Sequence, residues 1–370
     1  MEFASPFSIS NRKIDPSRRP VARGALLPDG SPNDNDRVEI GPTDLAFREW
    51  AARGVTPPDL PRLRQYRLDR LVQALAARDY GGLLMFDPLN IRYATDTTNM
   101  QIWTMHNPAR ACFVGADGHV VLWDFHGCDH LSAHLPLVSE LRHGASFFYF
   151  ESGDRTEEHA AHFTAQIDAL MRSHAGTNRR LAVDRIEIPG QRALASLGIE
   201  IRNGLELTEH ARAIKDANEL NAMRCAIAAC EAAVGEMRSL ARPGLTEVDF
   251  WAELQRGNHI RGGEWIETRI LSSGQRTNPW FQEAGPRIIQ NGDLLAFDTD
   301  LIGPYGYCAD LSRTWMIGDR KPDAYEKDLY KLAYAHIQTN RDLLRPGTSF
   351  RELTERGHRL PERFRAQRYG

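Results

Sequence analysis

Three aspartates within one short stretch have the residue type and spacing of a metal site. Asp298 and Asp300 follow the apolar run 294–297, and Asp310 comes after the turn residues 303–306. The run predicts a buried strand, on which alternate side chains share a face, and a hairpin would return Asp310 beside the other two. Crowded carboxylates repel one another unless a cation neutralises them, and oxygen ligands suit divalent or trivalent metals. The alternative is a solvated loop in which the three carboxylates only cap turns.

The flanking residues resemble a known metal-binding hairpin. The stretch contains, in order, a strand, D-x-D, a glycine turn, a tyrosine and a further aspartate. Arg313, Thr314 and Gly318 follow that aspartate. This order resembles the first metal-binding hairpin of the creatinase, prolidase and methionine aminopeptidase family, which has the pita-bread fold. The resemblance implies a pair of transition-metal ions, with iron expected first and manganese, zinc or cobalt as alternatives.

The extra aspartate leaves the ligand set open. Asp310 lies 12 residues after Asp298 and 10 after Asp300, and in the family the two aspartate ligands usually have a separation between these values. Either of the first two aspartates, or both, could therefore bind.

Composition excludes several classes of function. The 370 residues carry a net charge of −3, from 46 basic and 49 acidic side chains, which predicts neither nucleic-acid nor membrane-surface binding. Five cysteines without a C-x-x-C pair indicate free thiols in a reducing compartment. Because neither a signal peptide nor a membrane span is evident, we expect a cytoplasmic protein that acts on a small molecule.

The N-terminal half predicts an extended arm followed by an α/β domain. Residues 1–60 are rich in Pro, Gly, Asn and Asp, as in an arm that wraps a partner subunit of a homodimer, or in a disordered tail. Strands and helices then alternate over 61–205. A helix is predicted from Leu63, then strands at 83–86, 111–115, 119–124, 146–150, 180–184 and 199–202, and helices at 156–174 and 190–197. The phrase Asn90 to Tyr93 resembles the N-terminal domain of creatinases and prolidases.

A histidine series within this half offers a second possible metal site. His126, His130 and His134 recur every four residues, which would place them on one face of a helix. No set of carboxylates accompanies them, so a solvated histidine face is the alternative interpretation.

Residues 206–370 predict a second domain. The segment from Arg212 to Glu219 resembles the opening helix of the pita-bread domain, R-x-x-K-D-x-x-E, and we expect a helix to about Leu240. Lys215 and Glu219 would form an ordinary i,i+4 pair on its solvated face. An R-P-G signal at 242–244 recurs 103 residues later, after a helix at 325–344, as expected for a domain of two similar halves.

The expected fold is an α/β N-terminal domain followed by an α+β pita-bread domain, the latter incomplete. The 103-residue offset puts the second half's hairpin beyond Gly370. The resemblance implies that one His and two Glu ligands, together with the catalytic base, would fall there. We therefore expect the sequence to be truncated, expect the truncated chain by itself to be metal-poor and inactive, and assign no catalytic residue.

The segment before the metal hairpin points to a particular branch of the family. Peptidases have a histidine after the comparable turn, where this chain has Trp280 in N-P-W-F-Q-E-A-G. An indole face can hold an organic cation, although simple packing is an equal explanation. The arm, this segment and FDTDLIGPYGYCADLSRTW look like the bacterial dimethylsulfoniopropionate lyases of this fold. That resemblance implies β-elimination to dimethyl sulfide and acrylate, with Trp280 and Tyr369 lining the pocket.

Two other functions remain open. The first is an Xaa-Pro peptidase or creatinase-type hydrolase, for which a histidine at position 280 would be expected. The second is a non-catalytic homologue, since three aspartates alone seldom hold two metal ions.

Overall fold

A computed structural model describes residues 26–27, 29–31 and 41–366. Tyr369 and most of the predicted arm over 1–60 lie outside the described residues. The described end of that arm is helical rather than extended at Asp44–Arg53, because Thr43 caps the helix and Ala46 and Trp50 bury its inner face. No helix in the described part of the chain has the length and apolar character to cross a membrane.

The chain forms two compact units. The first contains residues 1–233, 256–265 and 301–309, and the second contains 234–255, 266–300 and 310–370. The helices are α1 (Asp44–Arg53), α2 (Leu60–Arg78), α3 (Pro88–Thr95), α4 (Gln101–His106), α5 (Tyr149–Ser152), α6 (Thr156–Ala175), α7 (Ile188–Ser196), α8 (Gly204–Ala213), α9 (Ala217–Ser239), α10 (Glu247–His259), α11 (Ala324–Leu343), α12 (Phe350–Arg356) and α13 (Glu362–Arg365). The strands are β1 (Gly82–Met85), β2 (Ala111–Gly115), β3 (Val120–Trp123), β4 (Glu140–Arg142), β5 (Arg180–Val183), β6 (Glu200–Asn203), β7 (Trp265–Ile266), β8 (Leu271–Ser273), β9 (Leu294–Phe297), β10 (Leu301–Ile302), β11 (Cys308–Ala309) and β12 (Arg313–Met316).

A six-stranded mixed sheet is the centre of the first unit. Its order is β4-β3-β2-β1-β5-β6, with β1 antiparallel to β2 and parallel to β5. Alternate residues of β1 enter different cores: Leu83 and Met85 pack with α2 and α8, whereas Leu84 packs with α6 and α7. Both faces are therefore covered, which explains the continuous apolar run.

One sequence prediction for this sheet is wrong, and one of its strands was missed. No strand forms at 146–150, where Phe147 and Phe148 are buried in an irregular segment and α5 begins at Tyr149. The edge strand β4 was not predicted, because three residues are too few to show a periodic pattern. The other predicted strands and helices of the first unit are present, with ends that differ by no more than three residues.

The predicted histidine helix does not exist. A turn and a single 3-10 turn at Asp129–Leu131 cover the segment, so His126 and His134 cannot share one helix face. The ring of His126 instead contacts that of His143, with their centroids 5.5 Å apart. Spacing alone could not reveal this, because a four-residue period has structural meaning only inside a helix.

The predicted long helix is divided in two, and its predicted surface ion pair is wrong. Ile214–Asp216 separate α8 from α9, and the Asp216 carboxylate caps α9 by accepting from the Glu219 N–H at 2.8 Å. Glu219 is only 2% exposed and pairs with Arg67 at 3.2 Å rather than with Lys215. It also accepts from the Tyr307 hydroxyl at 2.7 Å. Burial of Glu219 makes it part of the core of the first unit.

A three-stranded antiparallel sheet organises the second unit. β9 lies between β8 and β12, with Phe297 opposite Leu271 on one side and Arg313 on the other. The predicted antiparallel pairing on either side of the aspartates is confirmed between β9 and β12. The predicted R-P-G signals also lie where expected, in the connections between α9 and α10 and between α11 and α12. The predicted domain boundary near residue 205 stays a prediction.

Removing the charge of Glu219 should destabilise the protein. Glu219→Gln leaves the buried Arg67 guanidinium with one charged partner, Asp96 at 3.6 Å, in place of two, which should lower the free energy of unfolding by roughly 2 kcal/mol in urea denaturation. The matched control on the same helix is Glu231→Gln, because Glu231 faces Arg53 at 3.6 Å with about half of each side chain exposed. That change should cost less than about 1 kcal/mol. Equal effects of the two substitutions would contradict this assignment of Glu219.

Candidate metal centre

The three predicted aspartates converge just beyond the end of β9. One carboxylate oxygen from each of Asp298, Asp300 and Asp310 lies within 4.8 Å of those of the other two. Among the described residues this is the only group of at least three His, Cys, Asp or Glu side chains with such geometry. That these residues bind metal stays a prediction, but the sequence correctly placed them together.

The convergence does not come from a regular strand, as the sequence had suggested. β9 ends at Phe297, and Asp300 has a positive φ of 38°. Between the two aspartates the Thr299 side chain is buried, and its hydroxyl accepts from the Leu311 N–H at 2.8 Å. A turn in the backbone, stabilised by Thr299, therefore brings the carboxylates together.

Two hydroxyl groups hold the first two carboxylates in place. Ser312 donates to Asp298 at 2.8 Å, and Thr268 donates to Asp300 at 3.0 Å. Sequence reasoning missed both residues. Ser312 stands two residues after Asp310 and could have been suspected, whereas Thr268 comes from a distant segment and carries no local signal.

Asp310 has a strongly perturbed pKa. A hydrogen bond with Asp298, partial burial, and the negative charges of Asp298 and Asp300 together raise the pKa of Asp310 to about 6. Three carboxylates at this distance resist full ionisation, so Asp310 holds a proton below about pH 6 in the absence of a cation.

The donor set fits a metal ion. All three donors are carboxylates, which are ligands for hard and borderline metals, and a cation would relieve their mutual repulsion. Asp310 is exposed and the other two are half-buried, so an ion has access to the cluster. The residues present are therefore suited to metal binding in charge, donor type and accessibility.

Trp280 lies in the connection between β8 and β9. The chain there contains a cis peptide bond between Asn278 and Pro279, and Phe281 follows with a positive φ of 67°. Trp280 is partly buried and Phe281 is exposed. Tyr369, the other predicted pocket residue, lies outside the described residues, so its role stays a prediction.

Neutralising Asp310 should stabilise the metal-free protein. The raised pKa means that the folded state favours protonated Asp310, so its charge destabilises the fold above about pH 6 and not below about pH 4. In chelator at pH 8, Asp310→Asn should raise the free energy of unfolding by about 1 kcal/mol, a figure reduced for solvent screening. Thermal unfolding at pH 8 and pH 4 would measure this, with exposed Asp319→Asn as control. A lower melting temperature for Asp310→Asn in chelator at pH 8 would contradict the repulsion.

Comparison with known proteins identifies the fold. Residues 221–369 match the metallopeptidase family M24, whose members depend on metal. A dipeptidase from Pyrococcus horikoshii superimposes with a TM-score of 0.61 at 19% identity, covering 78% of this chain and 76% of that one. An Xaa-Pro dipeptidase from Bacillus anthracis gives a TM-score of 0.59 at 19% identity, covering 75% and 71%. These similarities confirm the predicted α/β domain followed by a pita-bread domain.

Sequence similarity is much higher to a different group of proteins with this fold. The chain is 55% identical over 364 residues to dimethylsulfoniopropionate lyase DddP of Roseovarius nubinhibens, covering 97% of this chain and 80% of that one. It is 51% identical over 366 residues to DddP of Roseobacter denitrificans, covering 98% and 81%. The chain therefore belongs to the DddP family of dimethylsulfoniopropionate lyases.

Proposed function

We propose that this protein is a metal-dependent lyase that cleaves dimethylsulfoniopropionate to dimethyl sulfide and acrylate. The observation that carries this proposal is its 55% identity to a DddP lyase across nearly the whole chain. The three converging carboxylates supply independent support, because they provide a place for the metal that such a reaction uses.

The proposed reaction is a β-elimination. A base removes the proton on the carbon next to the carboxylate, and the electrons of that C–H bond form the new C=C bond. The C–S bond breaks, its electrons go to sulfur, and the positively charged sulfonium leaves as neutral dimethyl sulfide. One proton and one acrylate anion are the other products, so atoms and charge balance.

Asp298, Asp300 and Asp310 are the proposed metal-binding residues. A bound cation supplies Lewis acidity that draws charge towards the substrate carboxylate and so acidifies the neighbouring C–H bond. Ser312 and Thr268 orient two of these carboxylates through hydrogen bonds of 2.8 and 3.0 Å. We propose a transition-metal pair with iron as the occupant, and manganese, zinc and cobalt as the alternatives to compare.

Trp280 is proposed to bind the sulfonium group. The face of an indole carries negative charge density and attracts organic cations within about 6 Å of the ring. This contact would hold the dimethylsulfonium end while the metal site holds the carboxylate end. Tyr369 is proposed to line the same pocket.

The remaining features of the proposal concern the whole protein. We propose domains at 61–205 and 206–370, preceded by an arm over 1–60, and a cytoplasmic homodimer. The cytoplasmic location is supported by the cysteine pattern of the sequence, which has five cysteines, an odd number, and no C-x-x-C pair.

A second candidate is a dipeptidase that cleaves before proline. The M24 match and the fold of solved dipeptidases favour it. Trp280 counts against it, because an indole cannot exchange protons as the histidine of those peptidases would.

Product analysis distinguishes the two candidates. The purified full-length protein, supplied with Fe(II), should release dimethyl sulfide from dimethylsulfoniopropionate and no amino acid from proline-containing dipeptides. Asp298→Asn, Asp300→Asn and Asp310→Asn should each lower metal content and lyase rate by at least about 100-fold, since metal ligands matter more than their supporting residues. Asp319→Asn, an exposed carboxylate outside the cluster, should change neither. Proline release without dimethyl sulfide would favour the peptidase, and an aspartate variant that keeps its metal would be removed from the ligand set.

A further inference from the structure

Glu247 is a buried carboxylate to which the proposed reaction assigns no role. It is the first residue of α10 and has 0% exposure. A buried charge persists in a folded protein only if hydrogen-bond donors and an opposite charge compensate for its lost hydration. The groups that compensate Glu247 therefore show what it holds together.

Four donors surround this carboxylate. One oxygen accepts from the N–H and the hydroxyl of Ser273, at 2.8 and 2.7 Å. The other accepts from the Gly285 N–H at 3.1 Å and from the guanidinium of Arg276. Ser273 and Gly285 stand at the two ends of residues 274–284, which we name the tryptophan loop because it contains Trp280. One side chain thus closes the whole loop.

Arg276 extends the same network into the loop. Besides its ion pair with Glu247, it donates to the Glu283 carbonyl at 2.9 Å and to the Gln282 side-chain oxygen at 3.2 Å. The guanidinium is planar and has a fixed fork of donors, so these contacts determine the path of the chain after Trp280. The charge of Glu247 holds Arg276 in this position.

The end of the tryptophan loop runs close to the metal-binding aspartates. Glu283 forms an antiparallel bridge with Ile270, and the Ile270 carbonyl accepts from the Asp298 N–H at 3.0 Å. Neighbouring extended segments lie about 4.8 Å apart, so the backbones of Glu283 and Asp298 are about 10 Å apart. Trp280 precedes Glu283 by three residues, which places it on a segment whose course depends on this pairing.

We propose that Glu247 is a positioning residue that closes the tryptophan loop and places the Trp280 indole for substrate binding. Glu247 itself does not contact the reacting atoms. Its effect on substrate rests on the proposed lyase function, whereas its effect on the loop does not, so the two can be tested separately.

Amide hydrogen exchange tests the loop directly. In Glu247→Gln, exchange at the Ser273 and Gly285 amides should be at least about tenfold faster, because both lose a charged acceptor. The control is Asp249→Asn in the same helical turn, where the exposed carboxylate accepts only from Thr246 among the described contacts. That control should leave the two amides unchanged. Unchanged exchange in Glu247→Gln would overturn the proposal.

A double-mutant cycle tests the effect on substrate. Glu247→Gln and Trp280→Ala should each raise KM for dimethylsulfoniopropionate by about fivefold or more, with kcat within about twofold and metal content retained. The double variant should be no worse than the poorer single variant, because both changes remove the same contact. Additive effects would show that Glu247 does not act through Trp280, and would overturn that part of the proposal.

The outcomes separate this proposal from the lyase function. If the wild-type protein releases no dimethyl sulfide, the lyase proposal fails while amide exchange still decides whether Glu247 closes the loop. If Glu247→Gln does not fold, Arg276→Met removes the same ion pair from its partly exposed side. Arg276→Met should then accelerate amide exchange at Gly285 and raise KM for dimethylsulfoniopropionate in the same way. If neither quantity changes, the proposal is overturned.

Discussion

Electrostatic repulsion among three carboxylates is the constraint on which the site depends. Asp298, Asp300 and Asp310 would separate if they were free to move, because like charges at this distance oppose one another. The raised pKa of Asp310 reflects its hydrogen bond with Asp298, its partial burial and this repulsion. The surrounding structure must therefore hold the aspartates together against this repulsion, and it does so through β9, the buried Thr299 and the hydroxyl donors.

The same side-chain chemistry serves a different purpose where donors are plentiful. Glu247 is more deeply buried than any of the three aspartates, and four donors surround it, one of which is the charged Arg276 guanidinium. Glu219 is likewise buried against Arg67 and Tyr307. A carboxylate that accepts hydrogen bonds from several protein donors serves to maintain structure. Carboxylates that face one another with few hydrogen-bond donors remain available to a cation. The contrast between these environments, rather than burial alone, distinguishes structural acids from candidate ligands in this protein.

Membership of the DddP family indicates which reaction these carboxylates and Trp280 should be considered for. The two solved dipeptidases compared above share the fold with this chain at only 19% sequence identity. The fold alone therefore does not determine the reaction. We propose that the segment containing Trp280 is one place where this chain differs from the peptidases. A loop that presents an aromatic face, closed by a buried ion pair, would adapt a metallopeptidase scaffold to a small organic cation.

The sequence by itself determined the elements whose signals are local. The apolar run of β9, the D-x-D and the returning Asp310 were sufficient to predict a hairpin that clusters carboxylates, since strand pairing and turns depend on neighbouring residues. The tertiary structure alone decided which distant groups meet. Thr268 reaches Asp300, Glu247 reaches both ends of the tryptophan loop, and Glu219 is buried against Arg67 rather than paired with Lys215. These contacts join segments between 26 and 152 residues apart, and a local pattern cannot encode them because they arise only when the elements pack.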